Sequence, residues 1–211
     1  MQQLTFNVVD NNGVWERIEH DFLARLPLRN LIWKGGLTQS ARFIEQLDIK
    51  VTVGEEEEEK EKEAGGRLLN IFLLESDADA DTYKAVLRGR VKAWAGRVAQ
   101  RKGEGWLVVY AASAAEAQRA GSSGSKFLGM RATVFDRLRG DLPSGHVALL
   151  QAGAVESWNA LVLAVRERVV QALEERVAGL ADEMRRMDAN RMLPGWNFCR
   201  FFVLKEGVVR L

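Results

Sequence analysis

Residues 68–76, "LLNIFLLES", form a nearly continuous apolar run closed by an acid. A strand reads this way when both of its faces are covered, because no side chain then points to water. Residues 105–112, "GWLVVYAA", show the same pattern. Two such strands require packed layers above and below one sheet, and the rest of the chain has to supply them.

The remaining segments fit that demand. "LTFNVV" at residues 4–9 is short and β-rich, and "DNNG" after it signals a turn. "VWERIEHDFLARL" then sets Val14, Ile18, Phe22 and Leu26 at helical spacing, with Trp15 and Leu23 beside them and Pro27 where the helix ends. In "FIEQLDIKVTV" Leu47, Ile49, Val51 and Val53 alternate with Asp48, Lys50 and Thr52, which predicts one strand with one buried face. Residues 81–102 carry a buried stripe of Tyr83, Leu87, Val91, Trp94 and Val98, with acids at the start and bases at the end, as the helix dipole favours. "KFLGMRATVFDRLRGDL" is amphipathic through Phe127, Met130, Val134 and Leu138, and "HVALLQ" at 146–151 reads as a short buried strand.

The resulting order, β-α-β-β-α-β-α-β, predicts an α/β fold: a mostly parallel sheet flanked by helices, of a degenerate Rossmann or GTPase-like kind. A long helix follows, from Glu156 to about Asn190, marked by Trp158, Leu161, Val162, Val165, Val169, Leu173, Val177, Leu180, Met184 and Met187, with Gly179 as a point where it could break. Its length, on the order of 50 Å, exceeds what covers one sheet. Two segments read as loops: the acidic run 54–66, "GEEEEEKEKEAGG", which can bury nothing and is expected to be disordered, and residues 113–125, which end in "AGSSGS" and are expected to be flexible. The division is thus an α/β domain over 1–153, then a long helix and the start of a helical region over 154–211.

Bulk properties narrow the function. The chain has 211 residues, 47% hydrophobic and 28% charged, as in a globular protein with a substantial core. A net charge of +1 gives no field for nucleic acid. No run reaches the roughly 18 apolar residues of a membrane span. "MQQLTFNVVD" lacks the features of a signal peptide, and a lone cysteine, Cys199, fits a reducing, cytoplasmic setting.

Chemical motifs are missing where this fold would place them. The loop "DNNGVWER" after the first strand has one glycine and neither G-x-x-x-x-G-K-S/T nor G-x-G-x-x-G. "GSSGSKF", with Gly124, Ser125 and Lys126, has the wrong spacing, and "SAAEA" after residue 112 is not an Asn-Lys-x-Asp base reader. His20, His146 and Cys199 stand at no metal-ligand spacing, and no G-x-S-x-G elbow occurs. Cys199, amid Trp196, Phe198, Phe201 and Phe202, is expected to be a buried, inert thiol. No catalytic, cofactor or metal residue is assigned. Two candidate interaction sets remain. Lys84, Arg88 and Lys92 share a helix face, with Arg97 and Arg101 further along, and within residues 81–102 only Asp81 opposes them. Such a face could meet an acidic partner or an anionic membrane. The second set is Trp196, Phe198, Phe201 and Phe202.

"DTYKAVLRGRVKAWAGRVAQRKGEGWLVVY", "ESWNALVLAVRERVVQALEERV", "LPGWNFCRFFVLKEG" and "LARLPLRNLIWK" together resemble the amino-terminal region of the larger subunit specific to the TRAPP II complex, one of the multisubunit tethers and Rab exchange factors of the Golgi. The resemblance covers most of the chain. It implies a non-catalytic scaffold domain, peripheral at Golgi membranes, that contacts small longin-type core subunits and serves a Rab GTPase only through the whole complex. It also implies that the chain continues into a helical region, with "KEGVVRL" opening the next helix and the aromatics packing partly against it. The competing expectation from residues alone is a nucleotide- or small-molecule-binding α/β enzyme with unrecognised loops.

Overall fold

The computed structural model describes residues 4–10, 12–34, 41–54, 67–75, 83–112, 133–151 and 153–210. The loops expected at 54–66 and 113–125, and Phe127 and Met130, lie outside these residues, except Gly54, which ends a strand.

Five strands make a parallel sheet: β1 (Thr5–Asp10), β4 (Lys50–Gly54), β5 (Arg67–Glu75), β6 (Gly105–Ala112) and β7 (Val147–Gln151), in the order β4-β1-β5-β6-β7. The α/β class expected from the apolar runs is therefore the class observed. In β5 every residue from Leu68 to Leu74 is buried, and in β6 every residue from Trp106 to Ala111. Alternate β5 side chains feed two cores. Leu69, Ile71 and Leu73 face α1 (Val14–Leu23) and α4 (Val155–Ala189). Phe72 and Leu74 face α2 (Arg88–Ala99), which a π-helical turn at Tyr83–Leu87 introduces, and α3 (Val134–Asp141). Trp94, fully buried, is the centre of the second core, 5.1 Å from the Phe72 ring and 6.2 Å from Trp106.

Helix α4 runs unbroken through Gly179 for 35 residues. Its first half carries the stripe Trp158, Leu161, Val165, Val169 and Leu173 onto the sheet. The approach is close: a side-chain carbon at Gly105 would meet the Arg168 backbone oxygen at 2.9 Å. Beside this contact, His146 stacks on Trp106 at 3.9 Å. Its Nδ1 lies 3.0 Å from the Trp106 carbonyl and its Nε2 3.0 Å from Arg168 Nη1. That geometry assigns a neutral imidazole, donating through Nδ1 and accepting at Nε2. Burial, and then the Arg168 cation, hold the His146 pKa below its ordinary value, against the pull of the carbonyl.

Three sequence expectations change. The stretch 47–53 is two elements: Leu47 ends β3 (Ala41–Leu47), which pairs antiparallel with β2 (Leu28–Lys34) in a separate two-stranded sheet. Only Lys50–Gly54 joins the parallel sheet, as an edge strand whose Val53 is exposed. The hairpin went unread because "LPLRNLIWK" lacks clean alternation: Asn30 adopts a φ of +54°, and the side chains switch faces there. Finally, β7 is the other edge strand and buries only Ala148 and Leu150 fully, and Leu23 of α1 is exposed.

Trp94→Ala should cost about 3–5 kcal/mol, read as a lower urea midpoint, because it removes the hub of one core without a group able to collapse into the space. Stability should also fall as pH drops through about 6.5, the ordinary imidazole value. Since the folded His146 pKa lies below the ordinary 6.5, the unfolded chain takes up the proton first as pH falls, and the stability present above 6.5 is lost below it. His146→Gln should flatten that slope in urea titrations at matched ionic strength.

Candidate functional site

In a parallel sheet, ligands gather beyond the carboxyl ends of the strands, where successive connections leave in opposite directions. Here the chain moves from β1 to β4 on one side and then crosses to β5 on the other, so that point lies between β1 and β5. The described groups there satisfy one another. Asp10 accepts from the Asn12 backbone N–H at 3.0 Å and, through its other oxygen, from the Trp15 N–H at 2.7 Å, in the first turn of α1. Asn12 Nδ2 donates to the Glu75 carbonyl at 2.9 Å. Arg17 grips the Glu75 carboxylate with both terminal nitrogens. A phosphate approaching the start of α1 would therefore meet a carboxylate already bonded to the Trp15 N–H of its first turn and to the Asn12 N–H just before it, with a second carboxylate alongside.

The basic stripe is also engaged internally. Arg88 holds Asp141 bidentately, Nε to Oδ2 at 2.9 Å and Nη2 to Oδ1 at 2.6 Å, and Lys92 Nζ lies 2.8 Å from Oδ1. The Tyr83 hydroxyl donates to Asp141 Oδ2 at 3.3 Å. The hydrogen bonds from Arg88, with those from Lys92 next, lower the Asp141 pKa to about 2, while burial and the Asp141 charge push Tyr83 up to about 12. Asp141 ends α3, 53 residues beyond Arg88, so counting charges within 81–102 missed the neutralising group. Of the other members, Lys84 and Arg97 are exposed and Arg101 lies 3.8 Å from Glu104. Arg88 and Lys92 thus work as a clamp between α2 and α3.

The carboxy-terminal aromatics form a different arrangement. After the turn at 190–197, α5 (Phe198–Arg210) returns antiparallel along α4: Arg200 bonds Glu183 at 2.6 Å, and Gly207 lies against Leu180. "KEGVVRL" is thus not the opening of a new helix but the second half of α5, up to Arg210. Trp196 locks the turn by donating from Nε1 to the Met187 carbonyl at 2.8 Å, and Phe198 and Phe201 lie 6.1 and 5.7 Å from its ring. Phe201 and Leu204 are half-buried, but Phe198 is 64% exposed, Phe202 51% and Val203 67%. Met192 and Leu193 at the turn are exposed as well. Cys199 is exposed rather than buried, because α5 meets only the far end of α4 and covers one of its own faces.

The structure therefore brings Arg88 and Lys92 together with Asp141, and Trp196 with Phe198 and Phe201, and keeps the two sets apart on different elements. One exposed apolar pair was not anticipated from sequence: Ile32 and Phe43 face each other across β2 and β3, 64% and 62% exposed. Among the described residues no cluster of three or more metal-ligating side chains occurs, and no helix is long and apolar enough to cross a membrane.

Residues 1–191 match the family described as trafficking protein particle complex subunit 10-like, N-terminal. Subunit 10 of Dictyostelium discoideum is 26% identical over 99% of this chain and 17% of its own length. The TRAPP II-specific subunit 130 homolog of Oryza sativa is 25% identical over 95% of the chain and 16% of its own length. Human subunit 10 is 24% identical over 65% of the chain and 11% of its own length. The chain thus spans under a fifth of the length of these relatives. No solved structure matches it.

Asp10→Ala should cost about 1 kcal/mol, through loss of the carboxylate from the start of α1. Calorimetric titration of the unaltered protein with GTP, GDP and ATP should give no heat of binding; submicromolar affinity for any of them would contradict the self-satisfied crevice.

Proposed function

From the premise that the chain belongs to the trafficking protein particle complex subunit 10-like N-terminal family, we propose that it is a non-catalytic attachment domain of a TRAPP II vesicle-tethering complex. In this reading it binds other TRAPP subunits, the small longin-type core subunits first among them. It takes part in Rab guanine-nucleotide exchange only as a piece of the assembled complex, at the cytoplasmic face of trans-Golgi membranes.

The observation that carries the reading is the α5 face. Phe198, Phe202 and Val203 are held in a fixed helix, anchored through Trp196, and yet exposed. Apolar side chains so placed supply the desolvated centre of a protein interface. A protein partner is favoured over an anionic membrane, because Arg88 and Lys92 are taken up by Asp141. The self-satisfied crevice between β1 and β5 supports a role without nucleotide chemistry.

Pull-down of the purified chain against each small TRAPP subunit tests this. One of them should be retained, and Phe198→Glu with Phe202→Glu should weaken retention at least about tenfold while the circular dichroism spectrum stays unchanged. Retention of none, or retention indifferent to the double variant, would count against the α5 face.

A further inference from the structure

The β2–β3 hairpin is a second surface, independent of α5 and of the crevice. Its inner face is anchored. Leu28 and Leu31 enter the main core, and Trp33 packs with Val177 of α4. Arg166 of α4 donates to the carbonyls of Arg29 and Asn30 at 2.6 and 2.8 Å, where the backbone turns at Asn30. The hairpin is thus fixed in place rather than swinging free.

Its outer strand, β3, pairs with β2 and with no other described strand. An open strand edge presents alternating N–H and C=O groups that only another extended strand can satisfy in series. Natural edges are often blunted by proline, a bulge or several charged side chains. Ala41–Leu47 has no proline, and its pairing with β2 keeps one register. Of its two charged residues Arg42 lies over the Trp33 ring at 5.4 Å on the inner side, leaving Glu45 as the one charge beside Phe43 on the outer side. The outer side shows Phe43 beside Ile32.

We propose that β3 is a self-association edge, and that two copies of this chain pair β3 against β3, antiparallel about a two-fold axis at the middle of the strand. The sequence of β3 can pair with its own reverse without a clash of charges. With the axis at Phe43, Ala41 faces the second copy's Glu45; with the axis at Ile44, Phe43 faces that Glu45 and Arg42 faces the second copy's Gln46. Neither arrangement sets like charges opposite each other. Both produce a four-stranded antiparallel sheet, but only the axis at Phe43 sets Phe43 opposite its copy and lines up Ile32 and Phe43 from each copy in one apolar row on the outer face; the axis at Ile44 interrupts that row with Glu45. A two-fold axis closes the contact after two copies, so the open edge is consumed instead of propagating. One seven-residue strand per copy is a small contact, which fits a weak dimer formed at micromolar or higher concentration.

Sedimentation velocity and light scattering on the 211-residue chain test it, from about 1 μM to about 500 μM, the range in which a small interface forms and dissociates. The mass should rise from 23.6 kDa toward twice that value. Phe43→Lys should raise the dimer dissociation constant at least about tenfold without changing the melting curve, since the side chain is exposed and the variant sets two lysines together at the axis, and Ile32→Lys, on the outer strand of each copy, should weaken the dimer less. Amide exchange in Ala41–Leu47 should slow as concentration rises. A chain that stays monomeric throughout overturns the proposal, including the case where β3 instead receives a strand from another protein. So does a dimer insensitive to both lysine variants, or one abolished by Phe198→Lys and Phe202→Lys instead. The last result would place self-association on α5, while failure of the TRAPP pull-down alone would leave the hairpin dimer standing.

Discussion

Seven consecutive residues of β5 are buried, and a strand can bury both faces only if helices lie on each side of it. That constraint fixes most of the molecule. It draws α4 across one face through Trp158, Leu161, Val165 and Val169, and α2 across the other through Val91, Trp94 and Val98. It also sets the close seating of α4 on β6, where Gly105 leaves room for the Arg168 backbone and His146 fills the space between Trp106 and the Arg168 side chain.

The polar groups of the domain largely serve this same packing. Asp10 at the end of β1 bonds the first turn of α1, Glu75 ties Arg17, and Asp141 gathers Arg88, Lys92 and Tyr83. In a ligand-binding relative of this architecture, carboxylates and cations at strand ends and helix termini are left poised for substrate. Here they are spent on one another, so the strong pKa displacements at Asp141 and Tyr83 mark a structural clamp.

Surface apolar groups then become the informative feature, and they arise because α4 is longer than the sheet it covers. Its overhanging half still presents apolar positions such as Val177, Leu180 and Ala181. The hairpin shields Val177 through Trp33, and α5 shields Leu180 near Gly207. Each of these small elements covers α4 with one face and is left with another that nothing within the described residues covers: Ile32 and Phe43 on the hairpin, Phe198, Phe202 and Val203 on α5.

The sequence alone determined the parallel sheet, its two central strands, the long helix and the absence of known phosphate-binding spacings, because these are written locally, in period, run length and fixed intervals. The likeness carried by the segments "LARLPLRNLIWK", "DTYKAVLRGRVKAWAGRVAQRKGEGWLVVY" and "ESWNALVLAVRERVVQALEERV" reached the family as well. Only the tertiary structure decided that Arg88 and Lys92 belong to Asp141, that Leu47 and Val51 lie in different sheets, and that Cys199 and Phe198 face outward. Each of those facts depends on which distant segment arrives beside a residue. A charge or an aromatic ring carries the same signature in sequence whether its partner is a neighbouring helix or open solvent.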